Sequence, residues 1–233
     1  MRIGVFCYNF KHWKTQAGLQ NLFLAGYQPS LALAADPVDL KFYKSKVRIT
    51  PKDLFLVHPA DICEKYKVDY KVVKHNSQET CALVKEHDLD LGIVLGARIL
   101  DQEVIQSFNL GVLNMHPGIL PDNRGLDNIK WSLIKNLPIG VTCLLIDDKI
   151  DRGRLVAREQ INVYEDDSLL DLHLRVQNLE QKMMIDSIGI LSQADVKELE
   201  ELTSGSYYRS VPWELERDIS LYFEEYKKVN IKK

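Results

Sequence analysis

The alternation of short apolar runs with stretches of helical period is what most restricts the fold open to this chain. Strand-like runs occupy 2–8, 30–35, 69–73, 91–95 and 111–115, and helical patterns fill 15–25 (ending at Gly26), 78–87 and 102–108. Strands separated by helix-length crossovers pair in parallel, and strands that read as continuous apolar runs are covered on both faces. The first two-thirds of the chain is therefore expected to be α/β, a Rossmann-like, mostly parallel sheet with flanking helices.

Two stretches depart from that rhythm. Residues 36–58 carry Pro37 and Pro51 among lysines and aromatics with no clear period, and Pro59 follows, which reads as a long irregular excursion from the sheet. After Gly140 come two extended segments, 141–146 and 155–163, and then a helix that Asp167 or Ser168 caps and that runs to about residue 191. Leu169, Leu172, Val176, Leu179 and Met183 recur along it at helical spacing, as a core-facing stripe does. The expected organisation is one main domain over 1–192 and a small helical C-terminal extension over 193–233, rich in Glu and Lys, whose Tyr207, Tyr208 and Trp213 are the candidates for a homodimer contact.

Composition removes several function classes. A length of 233 residues with 45% hydrophobic content supports a sizeable core. A net charge of −3 and a pI near 6.1 supply no basic field of the kind that draws nucleic acid. The N-terminal apolar run is too short to span a membrane and no small-residue cleavage pattern follows it, so a cytoplasmic protein without membrane attachment is expected. Cys7, Cys63, Cys81 and Cys143 stand apart, with no Cys-x-x-Cys pair, and read as buried thiols with neither a metal site nor a disulfide framework.

The chemistry-bearing residues cluster where the fifth strand ends, in Gly111-Val112-Leu113-Asn114-Met115-His116-Pro117-Gly118-Ile119-Leu120-Pro121, followed by Asp122-Asn123-Arg124-Gly125. Strand alternation turns Asn114 and His116 to the same face, and the prolines stop the strand beyond them. In open α/β sheets the crevice at the carboxyl ends of the strands receives ligands. A second group lies in the run from Gly140-Val141-Thr142 to Asp147-Asp148-Lys149-Ile150-Asp151-Arg152-Gly153. Taken singly, the first group reads as a capped strand end and the second as ordinary turn chemistry.

Together and in order, these pieces resemble the catalytic core of the folate-dependent formyltransferases. The likeness runs from about residue 91 to 163 and rests on four segments: Leu95-Gly96-Ala97-Arg98-Ile99-Leu100; Asn114-Met115-His116-Pro117 with Leu120-Pro121 and Arg124-Gly125; Gly140-Val141-Thr142; and Asp151-Arg152-Gly153. The resemblance implies the formyltransferase fold, with 10-formyltetrahydrofolate as co-substrate and no metal. It places the family's catalytic Asn, His and Asp on Asn114, His116 and Asp151. It puts the folate against Ala97, Arg98, Ile99, Leu100, Ile146, Asp147 and Lys149. The residue types suit the reaction. An amine attacking a formyl carbonyl builds an oxyanion, which Asn114 and a protonated His116 stabilise, while Asp151 takes the amine's proton.

The acceptor is narrowed by departures from the resemblance. The phosphate-cradling Gly-Asn-Gly-Ser-Asn loop of glycinamide ribonucleotide transformylases is replaced by Cys7-Tyr8-Asn9-Phe10-Lys11-His12-Trp13-Lys14, and only some forty net-acidic residues follow the long helix where methionyl-tRNA formyltransferases carry a basic barrel. Formyltetrahydrofolate hydrolases carry a regulatory domain before the core, and none is expected here, where the sequence opens on the first strand. The expected acceptor is a nucleotide-linked amino sugar, met by Asn9, Lys11, Trp13 and Arg124, with the 36–58 excursion as the next place to look. The alternatives are another acceptor, phosphoribosylglycinamide or water, and a non-catalytic nucleotide- or folate-binding module. The absence of Gly-x-Gly-x-x-Gly argues against the module.

Overall fold

The computed structural model describes residues 1–39, 45–202 and 205–232, so the stretch 40–44 of the expected excursion lies outside the described residues. Strands β1 (Ile3–Tyr8), β2 (Leu31–Ala35), β3 (Asp69–Val72), β4 (Leu91–Val94) and β5 (Gly111–His116) fall where the apolar runs predict, with ends shifted by a residue or so. Between them lie α1 (Trp13–Leu24), α2 (Pro59–Tyr66), α3 (Gln78–Glu86) and the short α4 (Gln102–Ile105), which stops well before the expected residue 108. Beyond β5 come β6 (Arg124–Gly125), α5 (Asn128–Lys135), β7 (Gly140–Ile146), β8 (Gly153–Gln160) and α6 (Leu169–Leu191). The sequence pattern does not announce β6 or α5.

Among the described residues the main sheet has eight strands in the order β3-β2-β1-β4-β5-β7-β8-β9. The first five run parallel, and β7, β8 and β9 (Glu201–Leu202) are antiparallel to their neighbours. Side-chain alternation on β1 divides the core into its two layers. Ile3, Val5 and Cys7 pack with α1, α2 and α6, whereas Phe6 packs on the opposite face with Val84 of α3 and Val104 of α4. The stripe Leu172, Val176, Leu179 and Met183 is buried as the helical period requires, and Ser168 caps α6 in a capping box with Asp171. All four cysteines are free and buried, and burial pushes the thiols of Cys63 and Cys143 up, to about 12 and about 11. Among the described residues no helix is long and apolar enough to cross a membrane.

The C-terminal segment is helical in α8 (Ile219–Asn230), but it is also woven into the main body. Its strand β9 extends the sheet along β8, β10 (Tyr207–Tyr208) pairs in parallel with β6, and Phe223 and Tyr226 of α8 join the core. Tyr208 stacks on Trp131, and Lys46 Nζ sits 4.7 Å over the Trp213 ring, so two of the three tail aromatics meet partners within the chain. A buried ion pair ties the excursion to this segment. Lys130 of α5 and Glu216 of α7 (Trp213–Glu216) have side chains 3% and 0% exposed. Lys130 Nζ also donates to the carbonyl of Val47, and the Lys46 N–H donates to Glu216. Removing one member of such a pair strands the other charge in low dielectric. Glu216→Gln is expected to lower unfolding stability by about 3 to 5 kcal/mol in urea titration. A loss within 0.5 kcal/mol would mean that the pair carries no such weight.

Candidate active site

The site is organised around His116, at the end of β5 and 3% exposed. Its Nε2 lies 2.8 Å from the carbonyl oxygen of Asn123, and its Nδ1 lies 3.2 Å from Asp151 Oδ1. Both ring nitrogens thus have partners, and the side-chain amide of Asn128 also lies 3.2 Å from Nε2. The turn between β5 and β6 is fastened for this purpose. Thr142 Oγ1 donates to the Gly118 carbonyl and accepts from the Leu120 N–H, while the amide of Asn123 donates to the Asn128 carbonyl and to Ser132 Oγ. A Cβ at Gly118 would lie 2.7 Å from the Asn123 carbonyl and 3.0 Å from His116 Nε2, so only glycine lets the turn close on the imidazole. Asn123, Asn128, Gly118 and Thr142 escape a sequence reading because their parts are contacts across the fold. Gly118 and Asn123 do stand in the 111–125 run, and Thr142 in the Gly140-Val141-Thr142 segment.

Asp151 reaches His116 by an indirect route. The register pairs Leu145 with Leu113, so the β7–β8 loop leaves the sheet level with the early part of β5. It must run back along that strand, past Asn114, to bring Asp151 to the far end. Asp151 sits there in the left-handed region at φ 49°, and its Oδ2 accepts from the Gly125 N–H at 2.6 Å. Arg124 donates to the Ile150 carbonyl and so holds the same loop. Burial by itself would raise the Asp151 carboxyl. The hydrogen bond and charge of His116, the Gly125 N–H and the nearby Arg124 outweigh it and hold the group below the usual carboxylate range.

Between the strand floor and this loop is a cleft of about 400 Å³ lined by Asn114 and Asp151. Ala97, Arg98, Ile99, Leu100, Ile146, Asp147 and Lys149 all line it as well. A second cavity, of about 410 Å³, lies beyond His116 under the excursion. It is lined by Pro117 and Asn128, by Val47, Arg48 and Ile49, and by His173, Gln177 and Glu180 of α6. Burial lowers the basicity of His173, and neither its Nε2 nor Gln177 Oε1 has a hydrogen-bond partner among the described residues. The first-loop candidates are placed elsewhere. Asn9 bonds to Asp36 and Tyr70, Lys11 is exposed, Trp13 is half-buried at the start of α1, and none of them lines either cavity. Lys14 is bound to Glu180 and the Met115 carbonyl. Among the described residues no group of three His, Cys, Asp or Glu side chains is placed to hold a metal ion.

A formyl transferase family model matches residues 34–188, which span β2 to α6 and include all three of Asn114, His116 and Asp151. The chain belongs to the formyl transferase family. The methionyl-tRNA formyltransferase of Flavobacterium johnsoniae is 34% identical over 116 residues, 49% of this chain and 37% of that protein, so the match covers well under half of the relative's length. Solved structures share the fold at lower identity. A sugar N-formyltransferase from Shewanella sp FDAARGOS_354 aligns over 90% of this chain and 77% of its own, with a TM-score of 0.60 and 19% identity. A phosphoribosylglycinamide formyltransferase from Bacillus halodurans aligns over 84% and 97%, with a TM-score of 0.63 and 20% identity. At these identities the two structures speak to the fold alone.

Two outcomes test the site of this formyl transferase family member. Gly118→Ala should leave the fold intact by circular dichroism yet change the His116 ring environment, visible as shifted imidazole signals in NMR. Unshifted signals would show that the turn does not need to close on the ring. The depressed Asp151 pKa also has a thermodynamic consequence. Its stabilisation is fully present above the unfolded carboxylate pKa of about 3.9 and is lost as pH falls through the lower folded value. Asp151→Asn should therefore flatten the stability-versus-pH curve in that acid window. An unchanged slope would mean that Asp151 is not held as the geometry implies.

Proposed function

We propose that this chain is an N-formyltransferase that moves the formyl group of 10-formyltetrahydrofolate to the primary amine of a nucleotide-linked amino sugar. The observation that carries the reading is that the partners of the two His116 ring nitrogens line two different cavities, while His116 itself lines neither. One is lined by Asn114 and by Asp151, which contacts the imidazole at Nδ1; the other is lined by Pro117 and by Asn128, which lies beside Nε2. Group transfer needs two substrates to meet at one set of catalytic side chains, and a cavity on either side of the imidazole meets that need.

In this reading the reduced folate, the family's co-substrate, occupies the cleft roofed by the β7–β8 loop, held by backbone groups of the Gly96 to Leu100 turn and that loop. The acceptor occupies the cavity under the excursion, where Gln177 Oε1 and His173 Nε2 are open to sugar hydroxyls and Arg48 lies at an exposed edge for a phosphate. The amine nitrogen attacks the formyl carbon, and the oxyanion that develops is met by the Asn114 amide and by the positive charge of His116. Asp151 takes the amine's proton directly or through water. As the oxyanion re-forms the carbonyl the C–N10 bond breaks, its electron pair stays on N10, and N10 takes the proton that Asp151 received from the amine, directly or through water.

Supplying 10-formyltetrahydrofolate with a panel of amino-sugar nucleotides, glycinamide ribonucleotide, methionyl-tRNA and water is expected to give a formyl mass gain on an amino-sugar nucleotide. Gain on glycinamide ribonucleotide or methionyl-tRNA alone would reassign the acceptor, and folate binding without turnover would make the chain a binding module. With the true acceptor, Asn114→Ala should lower kcat by about two to three orders of magnitude, the usual loss for one preorganised oxyanion donor. Gln177→Ala should raise the acceptor's KM by roughly tenfold, about 1.4 kcal/mol. If Trp13→Ala raises that KM and Gln177→Ala does not, the acceptor belongs on the first loop instead.

A further inference from the structure

The cleft lined by Asn114 and Asp151 has a wall that the motif segments do not provide. Tyr207, beyond the 34–188 span of the family match, lines the cleft together with Asn114 and Asp151. It arrives there through β10, which lies parallel to β6 with Tyr207 opposite Arg124 and Tyr208 opposite Gly125. The Arg124 N–H donates to the Ser206 carbonyl and the Leu126 N–H to the Tyr208 carbonyl, each at 3.0 Å. Strand alternation then sends the two tyrosine rings to opposite sides. Tyr208 stacks on Trp131 with ring centroids 4.8 Å apart, and Tyr207 faces the cleft, 46% exposed.

Gly125 allows this approach. It holds φ 99°, and a Cβ there would lie 2.0 Å from the Tyr208 carbonyl oxygen and 3.1 Å from the Tyr207 ring at Cε2. The edge of the Tyr207 ring thus reaches over the residue whose N–H holds Asp151. The hydroxyl of Tyr207 makes no hydrogen bond among the described residues, and every other apolar side chain lining the cleft is aliphatic. One flat aromatic surface therefore stands at the rim of an aliphatic cleft, beside the group assigned to take the amine's proton.

We propose that Tyr207 is a folate-binding residue that packs its ring on the p-aminobenzoyl ring of the co-substrate, so that the C-terminal segment completes the active site. This rests on the reading of the cleft as the reduced-folate site. The reacting formyl group is attached to N10, which is bonded directly to the aminobenzoyl ring. If the pterin lies between the two backbone loops and N10 lies at Asn114 and Asp151, the aminobenzoyl ring leaves past Asp151. Tyr207 is the side chain waiting there. Aromatic packing of two flat rings at a half-open rim both anchors the ring and limits where N10 can sit.

The test is equilibrium binding of 5-formyltetrahydrofolate, and separately of 6-methyltetrahydropterin, to the full chain and to its Tyr207→Ala and Tyr207→Phe variants. Circular dichroism verifies the fold of each. The expected result is a Kd for the folate raised roughly tenfold in Tyr207→Ala, the order known for one base stacked on an aromatic, and changed by less than about twofold in Tyr207→Phe. For the tetrahydropterin, which lacks the aminobenzoyl ring, the variants should bind as the parent does. Equal folate affinity in a folded Tyr207→Ala protein overturns the proposal. So does a loss that appears equally with the tetrahydropterin, because the contact would then be with the pterin. A parent chain that binds neither probe removes the folate reading of the cleft, and this proposal with it, whereas binding by the parent with no effect at Tyr207 leaves that reading standing.

Discussion

The clamp on the His116 imidazole is the interaction on which the rest of the site depends. The buried ring is held at both nitrogens, and each contact comes from a different part of the chain: the Asn123 carbonyl from the turn after β5, the Asp151 carboxylate from the β7–β8 loop. In low dielectric an unpaired group at either position would be costly, so the two loops are held to one arrangement relative to the strand. The supports follow from this. Thr142 pins the turn to β7, Gly118 removes the side chain that would block it, and the Gly125 N–H fixes the second carboxylate oxygen. Asp151 accepts a left-handed backbone under the same constraint, a conformation that Asp tolerates better than most residues.

The sheet sets up this clamp through its mixed direction. β5 is the boundary strand, parallel to β4 and antiparallel to β7. The parallel side brings the turn after β4 to the carboxyl end of the sheet, as crossover connections do. The antiparallel side delivers a hairpin whose loop starts low on β5 and has to run back over it, and that return makes the cleft, with β5 as floor and the loop as roof. A purely parallel sheet would have placed a helix there. The C-terminal segment closes the remaining side by pairing β10 with β6, at the residues that carry Asp151's hydrogen-bond donor. The buried Lys130–Glu216 pair holds the same segment to the excursion beside the second cavity, so both cavities share walls with parts of the chain far apart in sequence.

The sequence by itself determined the strand and helix rhythm, because residues buried on both faces of a parallel sheet must be apolar and crossover helices must show a period near 3.6. It also determined the identity of the catalytic candidates, because Asn114-x-His116-Pro117 and Asp151-Arg152-Gly153 sit in four motif segments whose order and spacing resemble one family. What only the tertiary structure decided is how residues 35 positions apart in that pattern meet: the antiparallel register of β5 and β7 and the return of the loop are long-range pairings that no local preference encodes. The same holds for Asn123 and Asn128 around the imidazole, for the 45–50 stretch over the second cavity, and for Tyr207 at the cleft rim. Short strands such as β6 and β10 have too few residues to show a period, and they form because pairing with each other satisfies backbone groups that would otherwise lack partners. Asn9, Lys11 and Trp13 show the reverse case, in which residue types suited to a ligand are carried by the fold to positions outside both cavities.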